Sequence, residues 1–192
     1  MEQQYTRPSS GKIRKKDDSI FYLSDSIDER SSAIAVMQLP HKTIHDEKHY
    51  FVSDHLELQS GDVARFIVDT SETNSHMLFG IATEGQTEIE LYEGVEYTEG
   101  TEITTYNSDR DSTKTSGLKV FQDPTIDSGE VQENIIAESK WGTAVTPQRD
   151  IRGGSLRRSN EIILKKGTAY CFKIESGTSE NIINYNLDWY EE

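Results

Sequence analysis

Apolar and polar residues alternate along much of this chain, most clearly near its C-terminal end. In Thr168–Ser176, Tyr170, Phe172 and Ile174 alternate with Ala169, Cys171, Lys173 and Glu175. In Asn181–Tyr190, Ile183, Tyr185, Leu187 and Trp189 alternate with Ile182, Asn184, Asn186 and Asp188. A period of two marks a half-buried strand, because successive side chains point to opposite faces of a sheet. Gly177–Glu180 carries turn residues, so the pattern predicts a hairpin whose apolar face a second sheet must cover. The same signal repeats upstream. It predicts strands at Ile20–Leu23, Ala33–Leu39, His49–Leu58, Val63–Thr70, His76–Thr83, Thr87–Glu93, Leu118–Gln122 and Glu161–Lys165, with Pro40 ending the second of these. Glu130–Lys140 fits a short helix or a strand, and its neighbours favour the strand. Short strands separated by turn residues about every eight to twelve positions point to a sandwich or barrel.

Two stretches fall outside this alternation. Residues 1–16 set Arg7, Lys12, Arg14, Lys15 and Lys16 against Glu2, with Tyr5 and Ile13 as apolar anchors, too few to support a folded element. They read as a basic N-terminal arm. Residues 142–160 form a long loop, also basic, with Arg149, Arg152, Arg157 and Arg158 against Asp150. Arginine clusters suit protein interfaces, where the guanidinium offers a fork of donors. The expected organisation is an arm over 1–16 and a single antiparallel sandwich over 17–192.

The 192 residues are 33% hydrophobic and 28% charged, with a formal net charge of −14. That apolar fraction is low for a lone globule of this size. Either long loops are exposed, or subunits share buried surface; a homo-oligomer, with a trimer favoured, is expected. The acidic balance argues against a nucleic-acid partner, which needs clustered Lys and Arg. No apolar run reaches the roughly 18 residues of a membrane span, and the first residues lack the apolar core of a signal peptide. A cytosolic, reducing place of synthesis and assembly is the expectation. Cys171 is the one cysteine, so no intrachain disulfide forms, and its place in a strand predicts a small buried side chain.

Candidate chemistry is sparse. His41, His45 and His49 are spaced as ligands on one helix face, but Pro40 precedes them and a strand pattern follows. On a strand, His41 and His49 would lie roughly 26 Å apart and could not share an ion. A metal-dependent enzyme using His45 and His49 is therefore the weakest reading. From Glu84 to Asp111 nine acids face Arg110 alone, which reads as a solvated face. Asn107–Asp111 begins like a calcium loop but lacks the turn glycine and the downstream glutamate. No nucleophile elbow, phosphate loop or zinc-protease helix occurs. No enzyme activity, catalytic residue, metal or cofactor is expected. Tyr92, Tyr97, Tyr106, Trp141, Tyr185, Trp189 and Tyr190 suit either core and subunit contacts or a sugar platform.

Three passages carry a resemblance. Ile44-His45-Asp46 with His49-Tyr50-Phe51, Tyr106–Ser112 after Tyr92-Glu93-Gly94 and Gly100-Thr101, and Glu161–Lys165 and Gly167–Tyr170 with the ending Trp189-Tyr190-Glu191 are similar to passages of tailed-bacteriophage virion accessory proteins. The likeness covers roughly residues 34–192. Glu47 departs from it, standing where those proteins often have glycine. The resemblance implies a β-sandwich of jelly-roll type and a structural role: an auxiliary head protein that decorates and stabilises the capsid surface of the virion. The implied partners are the major capsid protein and further copies of the chain. The basic charge of the arm (Tyr5 to Lys16), or failing that of the arginine loop, makes these the expected contact residues. The alternative left open is a carbohydrate-binding module of a phage fibre or collar.

Overall fold

The structure is a computed structural model that describes residues 41–142 and 161–191 with their side chains, and residues 12–14, 20–22, 39–40 and 152–155 by backbone alone. The chain divides into two compact units, Met1–His41 and Lys42–Glu192. In the first, β1 (Lys12–Arg14) pairs antiparallel with β2 (Ile20–Tyr22). Helix α1 (Leu39–His45) follows. Leu39 was expected to close a strand that Pro40 ends. Instead both lie in the first turn of α1, where proline's missing N–H has no helical partner to lose; residues 33–38 of that expected strand lie outside the described residues.

The second unit begins with four long strands, β3 (His49–Leu58), β4 (Val63–Asp69), β5 (Ser75–Thr83) and β6 (Thr87–Glu93). An excursion comes next: β7 (Glu96–Thr98), β8 (Thr101–Glu102), β9 (Tyr106–Asn107), β10 (Lys119–Gln122) and β11 (Thr125–Ser128). A 3-10 turn at Gln132–Asn134 leads into β12 (Ile135–Trp141), so the ambiguous stretch is turn and then strand. β13 (Arg152–Ser155), β14 (Ile162–Leu164), β15 (Ala169–Ser176) and β16 (Asn181–Glu191) complete the chain. β13 falls inside the stretch expected to be loop.

Two antiparallel sheets result, ordered β12-β6-β15-β4-β10-β8 and β13-β5-β16-β3-β9, with β14 also paired to β5. Leave out the excursion and β13, and eight strands remain. In chain order they are β3, β4, β5, β6, β12, β14, β15 and β16. One sheet then holds the first, last, third and sixth side by side, and the other the second, seventh, fourth and fifth. That interleaving of two Greek keys is a jelly roll.

The expected C-terminal hairpin does not form. β15 pairs with β4 and β6, whereas β16 pairs with β3 and β5, in the opposite sheet. The residues between them arch across the sandwich rather than folding one strand onto the other. The apolar faces predicted for the two strands are buried all the same, because each strand packs its face against the other's sheet. Phe172 stacks on Phe79 of β5 at 4.7 Å, and Tyr185 meets Phe66 of β4 at 4.6 Å. Burying one such large side chain contributes about 1.5–3 kcal/mol, and Trp189, Phe172, Leu187, Ile174 and Ile183 are all within 2% of complete burial.

One end of this core is polar. Asn181 donates from Nδ2 to Thr87 Oγ1 (2.9 Å) and Ser176 Oγ (3.0 Å), and its Oδ1 accepts from the Gly85 N–H (2.8 Å) and Thr83 Oγ1 (3.0 Å). The arch between β15 and β16 is thus tied to the crossover between β5 and β6. Every polar group of Asn181 is satisfied, which offsets the cost of burying it.

The outer faces of the two sheets differ. Over the β4–β15–β6 sheet, Ile67, Phe121, Cys171 and Tyr92 form a second apolar cluster with Val95, Tyr97 and Ile126 of the excursion. The β7–β11 ribbon therefore acts as a third layer on that side. Cys171 lies beneath it, fully buried, and burial pushes its thiol up to about 12.

Candidate functional site

Three passages far apart in sequence meet at one end of the sandwich. They are the end of α1 with the start of β3, β9 with the turn after it, and the close of β16. Tyr50 lies opposite Trp189 on one side and Asn107 on the other, and His49 lies opposite Tyr190. Asn107, 7% exposed, donates from Nδ2 to the Glu47 carbonyl (2.9 Å), while its Oδ1 accepts from the Asp109 N–H (2.9 Å). His49 Nδ1 lies 2.7 Å from Ser108 Oγ, and the Ser108 N–H donates to the His49 carbonyl (2.8 Å). Trp189 Nε1 donates to Ser116 Oγ (3.1 Å) and to Glu191 Oε1 (3.2 Å). The Glu191 carboxylate also accepts from Ser116 Oγ (2.6 Å) and the Gly117 N–H (3.1 Å).

Glu47 is the hinge of this junction. The Glu47 N–H donates to the Ile44 carbonyl and the Lys48 N–H to the Thr43 carbonyl, each at 2.9 Å. That pair of bonds is a Schellman ending, which needs a left-handed residue at its first non-helical position. Glu47 supplies it with φ 60°, although only glycine adopts that region without a side-chain penalty. Its carboxylate accepts from Ser112 Oγ (3.0 Å) and lies 3.3 Å from Lys114 Nζ. Burial holds the His49 imidazole below its ordinary pKa, with Asp188 working in the opposite direction.

Beside the junction, His76 stacks on Tyr190 at 4.5 Å. Glu161 accepts from Tyr190 Oη (2.7 Å) and pairs with His76. Those two bonds, Tyr190 first, hold the Glu161 carboxyl below its usual pKa. At the sheet edge Tyr106 is 45% exposed, packs against Phe51 at 5.8 Å and carries the Arg110 guanidinium 5.1 Å above its ring.

None of the expected partner-binding residues has a described side chain. Tyr5, Arg7, Lys15, Lys16, Arg149, Arg157 and Arg158 lie outside the described residues. Lys12, Ile13 and Arg14 are described only as the backbone of β1, and Arg152 only as that of β13, opposite Thr83.

Three of the nine acids read as a solvated face are paired: Glu90 with Lys173 (2.7 Å), Glu88 with Lys140 (2.7 Å) and Glu93 with Lys165. Arg65 adds a two-pronged bond to Glu130 at 2.7 and 2.8 Å. These pairs were not legible because the basic residues come from segments brought beside the acids only in the fold. His41 and His45 belong to α1 and His49 to β3, and among the described residues no group of three His, Cys, Asp or Glu is placed to hold a metal. Asp109 and Asp111 sit in Asx turns, with the Asp111 N–H bonded to Asp109 Oδ1 at 3.1 Å. Of the seven aromatics, Tyr92, Tyr185, Trp189 and Tyr190 are buried and Tyr106 alone is exposed. The Glu47–Asn107 link escaped sequence reading, although Asn107-Ser-Asp109 has the composition of an Asx turn.

Fold and junction together define a jelly-roll β-sandwich whose strand ends are locked by side-chain bonds to backbone. No family model, curated protein or solved structure matches the chain. No helix among the described residues is long and apolar enough to cross a membrane.

Proposed function

We propose that the chain is a structural virion protein of a tailed phage, an auxiliary protein that decorates the outside of the head as a homo-oligomer. The observation that carries this reading is the convergence at the junction. Three of the stretches similar to virion accessory proteins, His49–Phe51, Tyr106–Ser112 and Trp189–Glu191, are scattered in sequence yet bond to one another in space. The backbone at Glu47, where those proteins often carry glycine, takes the left-handed conformation that glycine favours. A jelly roll is a fold that capsid proteins use, although lectins share it. The sugar-platform alternative is weakened by the burial of Tyr92, Tyr185, Trp189 and Tyr190.

Attachment falls to the basic segments. The described body, residues 42–142 and 161–191, carries 26 acids against 10 lysines and arginines, a difference of −16, and an acidic shell would repel it. The arm from Arg7 to Lys16, with Tyr5 and Ile13, is the segment suited to acidic capsid residues. One exposed ion pair contributes only about 0–1 kcal/mol, but an oligomer repeats the contact at high effective concentration. The test adds protein lacking residues 1–16 to undecorated heads. Weaker, more salt-sensitive occupancy by the folded, truncated protein is expected. Full occupancy at the concentration that serves the intact chain would move the contact to the loop from Arg149 to Arg158.

A further inference from the structure

Among the described residues, Glu47, Ser71, Asp123 and Glu180 have a left-handed φ without being glycine. Of these, Asp123 at φ 52° is the one followed by proline. Proline crowds the residue before it and drives that backbone toward extended conformations. The tolerance that aspartate otherwise has for a left-handed backbone is therefore cancelled here. The strain falls on one peptide bond, Asp123–Pro124, and no other aspartate in the sequence precedes a proline.

Tertiary structure holds the bond in this shape. β10 ends at Gln122, and the next N–H, that of Asp123, donates to the Arg65 carbonyl of β4 (3.1 Å). Gly100 packs its backbone onto the same peptide: a Cβ there would lie 2.7 Å from both the carbonyl carbon and the carbonyl oxygen of Asp123. Strain persists where its surroundings over-determine it, and it gathers at functional sites. Asp123 is exposed to water. Pro124, on the other side of the bond, lines an open cleft of about 460 Å³ together with Arg65, Asp127 and Glu130.

We propose that Asp123–Pro124 is a self-cleavage site. A carboxylate oxygen of Asp123 attacks the residue's own carbonyl carbon and closes a cyclic anhydride, an intramolecular step that needs no second molecule to be brought in. The bond to the proline nitrogen breaks, and its electron pair stays on that nitrogen, which takes a proton from water. One water then opens the anhydride and leaves two carboxylates on Asp123. The sum is one water consumed per bond cut, with nothing oxidised or reduced. The released proline nitrogen is a secondary ammonium, and Asp127 and Glu130 line the cleft where that cation appears. Cleavage also frees Asp123 from the crowding of the proline ring.

The cut severs β10 from β11 without releasing either fragment. Residues 124–192 supply β15, which lies between β4 and β6, and β16, which lies between β3 and β5. The product is a nicked jelly roll whose ribbon has lost one of its covalent links to the sheet. This chemistry is independent of the surface to which the protein attaches.

The test incubates purified full-length protein for days at about pH 6, where folded proteins keep their stability, with protease inhibitors present, both folded and in concentrated urea. Intact-mass spectrometry should find fragments 1–123 and 124–192, their masses summing to that of the chain plus one water. Strain of the size a left-handed residue carries changes a rate about tenfold, so the folded protein should be cut at least about tenfold faster than the unfolded one. The fragments should separate on a denaturing gel and co-elute in native gel filtration. Asp123→Ala, which lacks the carboxylate, should stay whole. Pro124→Ala, which keeps the carboxylate and eases the crowding, should be cut at least about tenfold more slowly, and it carries the test should Asp123→Ala fail to fold. A folded wild type that stays intact would overturn the proposal. Equal rates in folded and unfolded chains would do the same, leaving only the ordinary acid lability of an Asp-Pro bond, as would cutting of either folded variant at the wild-type rate.

Discussion

The Asn107 side-chain amide donates to the backbone carbonyl of Glu47, 2.9 Å away and sixty residues earlier in the chain. This one bond fastens the turn that leaves α1 to the strand that flanks β3. It also fixes the carbonyl of a residue whose backbone is strained, and it explains how a glutamate is tolerated there.

Glu47→Gly should be more stable than Glu47→Ala. Both lose the bonds to Ser112 and Lys114, and only Gly relieves the left-handed conformation, which costs a residue with a Cβ about 1–2 kcal/mol. The freer unfolded chain of Gly takes back about 0.4–1 kcal/mol. A difference of roughly 0.5–1 kcal/mol is expected in urea denaturation. The opposite order would contradict the strain argument.

Trp189→Ala should cost about 3–5 kcal/mol. Trp189 has no exposed surface, stacks on Tyr50 at 6.1 Å and bonds Ser116. An unchanged melting temperature would be incompatible with this packing.

Asn181→Ala should cost roughly 2–3 kcal/mol by leaving the Gly85 N–H and the Thr83, Thr87 and Ser176 hydroxyls short of partners. Because those groups hold both crossovers, hydrogen exchange at Gly85 should speed up more than exchange at Ile67. Uniform acceleration would mean that the network does not act locally.

Stability should fall with acid through His49. Its pKa is lowered in the fold by burial, so the unfolded chain binds the proton more readily. The contribution is complete above the unfolded value of about 6.5 and is lost as pH drops through the lower folded value. His49→Gln should flatten the decline in urea midpoint between about pH 7 and 5; a parallel curve would locate the titration elsewhere.

Cys171 should resist thiol reagents at pH 8 in the native protein and react at once in denaturant. It is fully buried, with its thiol pushed up to about 12, and the thiolate is the reactive form. Rapid native labelling would show the ribbon opening.

The alternation of side chains is a local property, so the sequence alone determined which face of each long strand turns inward. Tyr170, Phe172, Ile174, Tyr185, Leu187 and Trp189 are all buried as their period of two requires. Which strands lie side by side is not local. Gly177–Glu180 is as compatible with an arch as with a hairpin, and the choice rests on β3, β4, β5 and β6 offering partners to both strands, more than a hundred residues upstream in the case of β4. The fate of the second face is likewise decided by what lands on it. Cys171 and Lys173 share one side of β15, yet Cys171 lies under the excursion while Lys173 reaches Glu90. Glu47 shows the same division at the junction: its residue type argues against a left-handed backbone, and only the helix before it and Asn107 beside it, joined by tertiary structure, make that conformation the stable one.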